Sequence, residues 1–99
     1  MPYELIRDAI RDRVSLAAYY EDYVRFFSPH VLGKDSSGAP VVVAYQYDGG
    51  RRGGLAAGGD WATFYLAGLS NVVRTGDGWR AGRPSGKPVH VLASIDIAA

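Results

Sequence analysis

The chain contains no cysteine, so disulfides, thiolate metal sites and cysteine nucleophiles are all excluded. Histidine is nearly as scarce, with only His30 and His90. Neither sits at a close ligand spacing with the other or with a carboxylate, which leaves no metal motif. No apolar run approaches the roughly 20 residues that cross a bilayer. Charge of one sign is also missing: the formal net charge is +1. A large basic surplus is the usual footprint of a strong nucleic-acid binder, so at most a local basic patch remains. Acidic residues in an amphipathic N-terminal stretch do not read as a secretory signal. A cytoplasmic location is expected, with no membrane association.

The 99 residues fit a single domain, 1–99. At this size folding buries roughly 60–65% of the unfolded chain's surface, enough for one modest core. Residues 3–13 read as a helix. Leu5, Ile6, Ala9 and Ile10 fall on one face and Glu4, Arg7, Asp8, Arg11 and Asp12 on the other. Pro2 suits the first turn, where its missing N–H costs nothing. The apolar stripe suits a helix that plugs one open end of a barrel.

From Val14 the pattern alternates, as a half-buried strand requires. Strands are expected over 14–20, 24–32, 41–47, 61–66 and 70–74, with a last one over 89–97. Pro29 should bend the second, because proline cannot donate to a central ladder. Glu21-Asp22, the K-D-S-S-G-A run 34–39 and Thr75-Gly76-Asp77-Gly78 supply turns. The glycine-rich run 48–60 opposes regular structure and favours mobility. A flexible polar segment, 80–88, precedes the last strand. One helix and five or six short strands, with turns every eight to twelve residues, predict a mainly β fold. The expected form is a small five- or six-stranded barrel over 14–75. The last strand either joins this barrel or pairs with a second copy of the chain, making a homo-oligomer.

The order of several short pieces resembles the WYL domain family. These are the helix A-I-R-D-R, the strand ending Tyr19-Tyr20, and Arg25 ahead of Ser28-Pro29-His30 and Leu32. Gly38 and the strand ending Ala44-Tyr45 follow, then Trp61 ahead of Phe64, Leu66 and Leu69. The resemblance covers about seventy residues and implies an Sm-like or Src-homology-3-like barrel. It also implies a bacterial domain that senses a ligand, often thought to be nucleic acid or a nucleotide. The naming Trp-Tyr-Leu triplet falls here at Pro40-Val41-Val42. The later R-x-F-R-L-D-R-I pattern falls at residues 62–69 without any of its three arginines, so a site built on those cannot operate here.

Candidate ligand-binding residues are Arg25, His30, Tyr45, Gln46, Arg51, Arg52 and Trp61. Arg25 can fork onto a phosphate or carboxylate while His30 donates a hydrogen bond. Equally, Arg25 can pair with Glu21 or Asp22, and His30 can be a satisfied structural histidine. The two share a side only if the strand is bulged near Pro29. Gln46 can read a ligand edge or bridge strands. Arg51 and Arg52, between glycine pairs, suit phosphate but form no P-loop. Tyr45, Tyr47 and Trp61 flank that loop and are stacking candidates, while Trp79 can anchor the chain where it leaves the barrel. No nucleophile, base and orienting group assemble, so catalysis is not expected and no cofactor is implied. The expected partner is an anionic ligand or nucleic acid.

Overall fold

A computed structural model describes residues 2–99. Helix α1 spans Pro2–Asp12 and buries Ile6, Ala9 and Ile10, the i, i+3, i+4 set read from the sequence. It ends in a Schellman turn: Val14 N–H donates to the Ala9 carbonyl (2.9 Å) and Arg13 N–H to that of Ile10 (3.3 Å). Arg13 occupies the left-handed position, φ 53°, that glycine usually fills there.

Six strands follow: β1 (Leu16–Tyr20), β2 (Tyr23–Lys34), β3 (Pro40–Gly49), β4 (Asp60–Tyr65), β5 (Ser70–Arg74) and β6 (Ser94–Ala98). All pairings are antiparallel, in the order β4-β3-β2-β1-β5, with β6 added to β2. The twelve-residue β2 organises the sheet. Its first half pairs with β1, from Tyr20↔Tyr23 to Leu16↔Phe27. Its second half pairs with β6, from Val31↔Ala98 to Lys34↔Ser94. The strand bends between the two at Pro29-His30, where the register against β3 shifts. Gly33 lets β6 approach, since a Cβ there would lie 2.0 Å from the Ser94 carbonyl oxygen.

The expected closed barrel is not formed. The six-stranded sheet is open, with β4 and β5 at its ends. Where a ladder would close the seam, one side chain crosses it: the Tyr65 N–H donates to the Tyr20 hydroxyl (3.2 Å). Beyond Tyr65 the chain turns through a 3-10 helix, Leu66–Gly68, before β5. The last strand is also shorter than expected. Val89–Val91 is a 3-10 turn and only Ser94–Ala98 is extended. That strand pairs with β2 of its own sheet.

Each face of the sheet has its own cluster. One face packs Leu16, Ala18, Phe27, Leu32, Val42, Ala44, Ala62 and Phe64 against α1. Phe27 and Phe64 meet at 4.9 Å, centroid to centroid. The other face gathers Val31, Val43, Tyr45 and Trp61. Residues 78–88 cross it as a strap instead of forming the expected flexible segment. Trp79 Nε1–H donates to the Pro29 carbonyl (3.0 Å), and Arg80 N–H to the Ser28 hydroxyl (2.9 Å). Trp61 Nε1–H reaches the Ser85 carbonyl (3.0 Å). Below the strap, the buried Ser15 and Ser28 hydroxyls meet at 2.8 Å, and Ser15 donates to the Gly78 carbonyl.

Candidate functional site

The β1–β2 hairpin turns on two residues, Glu21 and Asp22, both in the left-handed region (φ 48° and 69°). That is the two-residue geometry a twisted hairpin favours, normally built with Asn-Gly. Acidic residues accept it here at some cost in strain. The tight turn sets Tyr20 opposite Tyr23 and places Arg25 two residues into β2, on the α1 side of the sheet.

Arg25 is only 5% exposed. Its Nε–H donates to the Tyr20 carbonyl (3.2 Å), and one Nη1–H to Gln46 Oε1 (3.3 Å). The guanidinium lies over the rings of Tyr20, Tyr23 and Phe64, at 5.4, 5.5 and 5.5 Å. The ion pair with Glu21 or Asp22 is not made; among the described residues no carboxylate lies within 4.0 Å of it. Burial first, and then the nearby Arg51, push its pKa below the ordinary guanidinium value. Arginine nevertheless stays charged at any working pH. A nearly buried cation therefore makes no ion pair, although Glu21 is near enough to favour its charge through space.

Gln46 explains how it is held. Gln46 is wholly buried, and its amide donates twice, to the carbonyls of Asp48 and Gly50 (both 3.0 Å). The side-chain oxygen left over faces Arg25. These bonds close the turn leading into the Arg51-Arg52 loop. Gly49 (φ 89°) completes it; a Cβ there would fall 2.1 Å from the Val24 carbonyl oxygen. Gln46, wholly buried and with both amide N–H groups used, is thus a positioning residue.

Two adjoining clefts open beside Arg25. One, of about 310 Å³, is lined by Glu21, Asp22, Tyr23, Arg25 and Arg52. The other, of about 190 Å³, is lined by Tyr20, Glu21, Arg25, Arg51, Arg52 and β4 residues 62–64. It lies at the open seam of the sheet. A separate hollow of about 220 Å³, between Pro2, Leu5 and residues 69–72, carries no charged side chain.

The structure brings Arg25, Gln46, Arg51 and Arg52 together and leaves His30, Tyr45 and Trp61 apart. A bulge is present near Pro29, but His30 is itself the extra residue, so the alternation inverts only beyond it. Val31 joins His30 on the strap face while Leu32 returns to the α1 face. His30 stacks on Trp79 (4.3 Å, 27°), meets Trp61 edge-on, and donates its Nε2–H to the Arg80 carbonyl (2.8 Å). Burial lowers its pKa, which favours the neutral ring. Tyr45 donates to the Gly58 carbonyl (2.8 Å) and packs edge-on against Trp61. These three residues hold the strap.

Sequence reasoning missed the aromatic lining of Arg25. The turn read at Glu21-Asp22 sets Tyr20 opposite Tyr23, and that pairing was the available signal. The seam contributed by β4 had no sequence signal, because it exists only where closure fails.

No protein-family model, curated protein or solved structure matches this chain. Among the described residues, no three His, Cys, Asp or Glu side chains form a group that could hold a metal ion. Nor is any helix long and apolar enough to cross a membrane.

Proposed function

We propose that the protein is a non-catalytic binding module for a small anion, received by Arg25, Arg51 and Arg52. One observation carries this reading: Arg25 is nearly buried, fixed by neutral groups, unpaired by any carboxylate, and opens onto a cleft shared with two further arginines. Leaving a buried charge unpaired is costly, so an anion that completes it gains more than it would from a solvated arginine. The strained Glu21-Asp22 turn lies at the same cleft, and strain of that kind concentrates at binding sites.

The resemblance to WYL domains agrees with a ligand-sensing role, and the bent β2, shared between two partners, supports relating the open sheet to Sm-like and Src-homology-3-like folds. The geometry favours a small anion over a nucleic-acid segment. The stacking candidates Tyr45 and Trp61 lie on the opposite face, and a net charge of +1 gives little long-range attraction to a polyanion. Assembly into a homo-oligomer through the C-terminal strand has less support, because β6 is already paired with β2.

The test is an NMR titration with inorganic phosphate and with acetate, following the Arg25 Nε–H signal at two salt concentrations. The expected result is a saturable shift, several-fold weaker in affinity for Arg52→Ala and weaker again at high salt. A wild-type signal that does not move with either anion would refute the proposal.

A further inference from the structure

The seam cleft contains more than arginines. Tyr65 N–H points away from β3, since it bonds the Tyr20 hydroxyl, so the Val41↔Tyr65 pair exchanges no ladder hydrogen bonds. Antiparallel pairs alternate in this respect. Two residues along, Val43↔Thr63 is therefore another non-bonded pair, and the Thr63 N–H and C=O both face the seam. The next such position, Trp61, has its N–H satisfied by the Asp60 carboxylate (2.8 Å). Tyr20 caps one neighbour of Thr63 and Asp60 the other. Along the free edge of β4 the outward N–H groups of Tyr65 and Trp61 are thus taken, which leaves that of Thr63, a residue that lines the cleft together with Arg25.

From this juxtaposition we infer that the ligand is an α-amido or α-amino carboxylate, the chemistry of a peptide C-terminus or of a free amino acid. The inference rests on the anion-site reading and specifies its ligand. One carboxylate oxygen accepts from Arg25 and the other from the Thr63 N–H. The ligand's own N–H donates to the Thr63 carbonyl. This is the doubly bonded residue pair of an antiparallel ladder, limited to a single residue because both flanking amides are capped. The charge balance fits. Three guanidinium groups and the two acids Glu21 and Asp22 leave one net positive charge around the two clefts, enough for one carboxylate and opposed to a polyanion.

The experiment compares acetate, glycine, N-acetylglycine and N-acetylsarcosine by NMR titration of the whole chain. N-acetylsarcosine keeps the carboxylate and lacks the N–H. N-acetylglycine is expected to bind about tenfold more tightly than acetate, the effect of one added hydrogen bond to a seam otherwise unpaired. N-acetylsarcosine should fall back to the acetate value. Thr63→Pro removes the outward-facing N–H on an edge strand, a position where proline is tolerated. It should weaken acetate and N-acetylglycine alike, because it removes a donor to the carboxylate, and should keep both the Arg25-dependent anion binding and the N-acetylglycine preference that the Thr63 carbonyl provides. Glycine binding as tightly as N-acetylglycine would indicate a free amino acid; binding near the acetate value would indicate a peptide end. Equal affinities for N-acetylglycine, N-acetylsarcosine and acetate would overturn this inference while the anion site stood. Because the sarcosine comparison uses only wild-type protein, it decides the matter even if Thr63→Pro does not fold.

Discussion

Replacing Gln46 by methionine isolates the group that positions Arg25. The two side chains have similar volume, so the packing change is small. What disappears is a buried amide making three hydrogen bonds: two donated to the Asp48 and Gly50 carbonyls and one accepted from Arg25. Each net bond contributes about 1 kcal/mol, and a charged donor left short costs more. The two carbonyls lie at a partly exposed turn, where water recovers some of the loss. The sum is a destabilisation of about 3 kcal/mol, a large share of the roughly 5–10 kcal/mol expected for a domain of this size. Urea unfolding should show the midpoint lowered by about 1–2 M at unchanged slope. Folded Gln46→Met should also bind acetate several-fold more weakly, because Arg25 loses a fixed partner. A stability loss below about 0.5 kcal/mol, with anion affinity intact, would show that Gln46 does not hold Arg25 and that the site is not organised as described.

Other perturbations test other parts of the molecule. Asp22→Gly relieves one left-handed residue of the hairpin turn and should raise stability by about 1 kcal/mol, read from the urea midpoint; a loss would contradict the turn geometry. Asp35 accepts hydrogen bonds from Ser37, Ala39 and Tyr65, and these draw its pKa from 3.8 down to about 2. A carboxylate depressed by folding stabilises the fold above its unfolded pKa. That contribution should fade as pH falls from about 4 to about 2, and Asp35→Asn should flatten this limb of the thermal-stability profile. His30 behaves in the same sense for a different reason. Burial lowers its pKa below 6.5, so the unfolded chain takes up the proton first. Stability should decline as pH falls below about 6.5, and His30→Gln should remove that slope; a pH-independent melting temperature between 7.5 and 5 would count against the buried neutral ring.

How much of this could be read from the sequence follows from the range of the forces involved. Helix α1 and the bend at Pro29 were legible because local periodicity and the missing proline N–H determine them. The cluster of Arg25, Gln46, Arg51 and Arg52 was partly legible, since polar groups within apolar strands stand out. Placing His30 in it failed on parity. The bulge that could have turned His30 toward Arg25 falls on His30 itself, and no residue type announces that one-position difference. The strap was read as a flexible polar segment because its anchors, Trp79, Ser28 and Ser15, are distant in sequence and meet only in the fold. Barrel closure was expected from the number and spacing of the strands and from the resemblance to WYL domains. The Tyr20 side chain, which takes the place of a closing ladder, is a tertiary detail outside that count.

The pairing of β6 with the far half of β2 also bears on how the chain is made. Lys34 waits for Ser94, sixty residues later, and Val31 for Ala98. At a synthesis rate of about 5–20 residues per second, that interval is roughly 3–12 s. Throughout it, one edge of β2 from Val31 to Lys34 stays bare on the nascent polypeptide while β3 already occupies the other. Unpaired strand edges of this kind are where newly made proteins stick to one another. The protein's exposure to aggregation during translation is therefore set by when its last strand arrives.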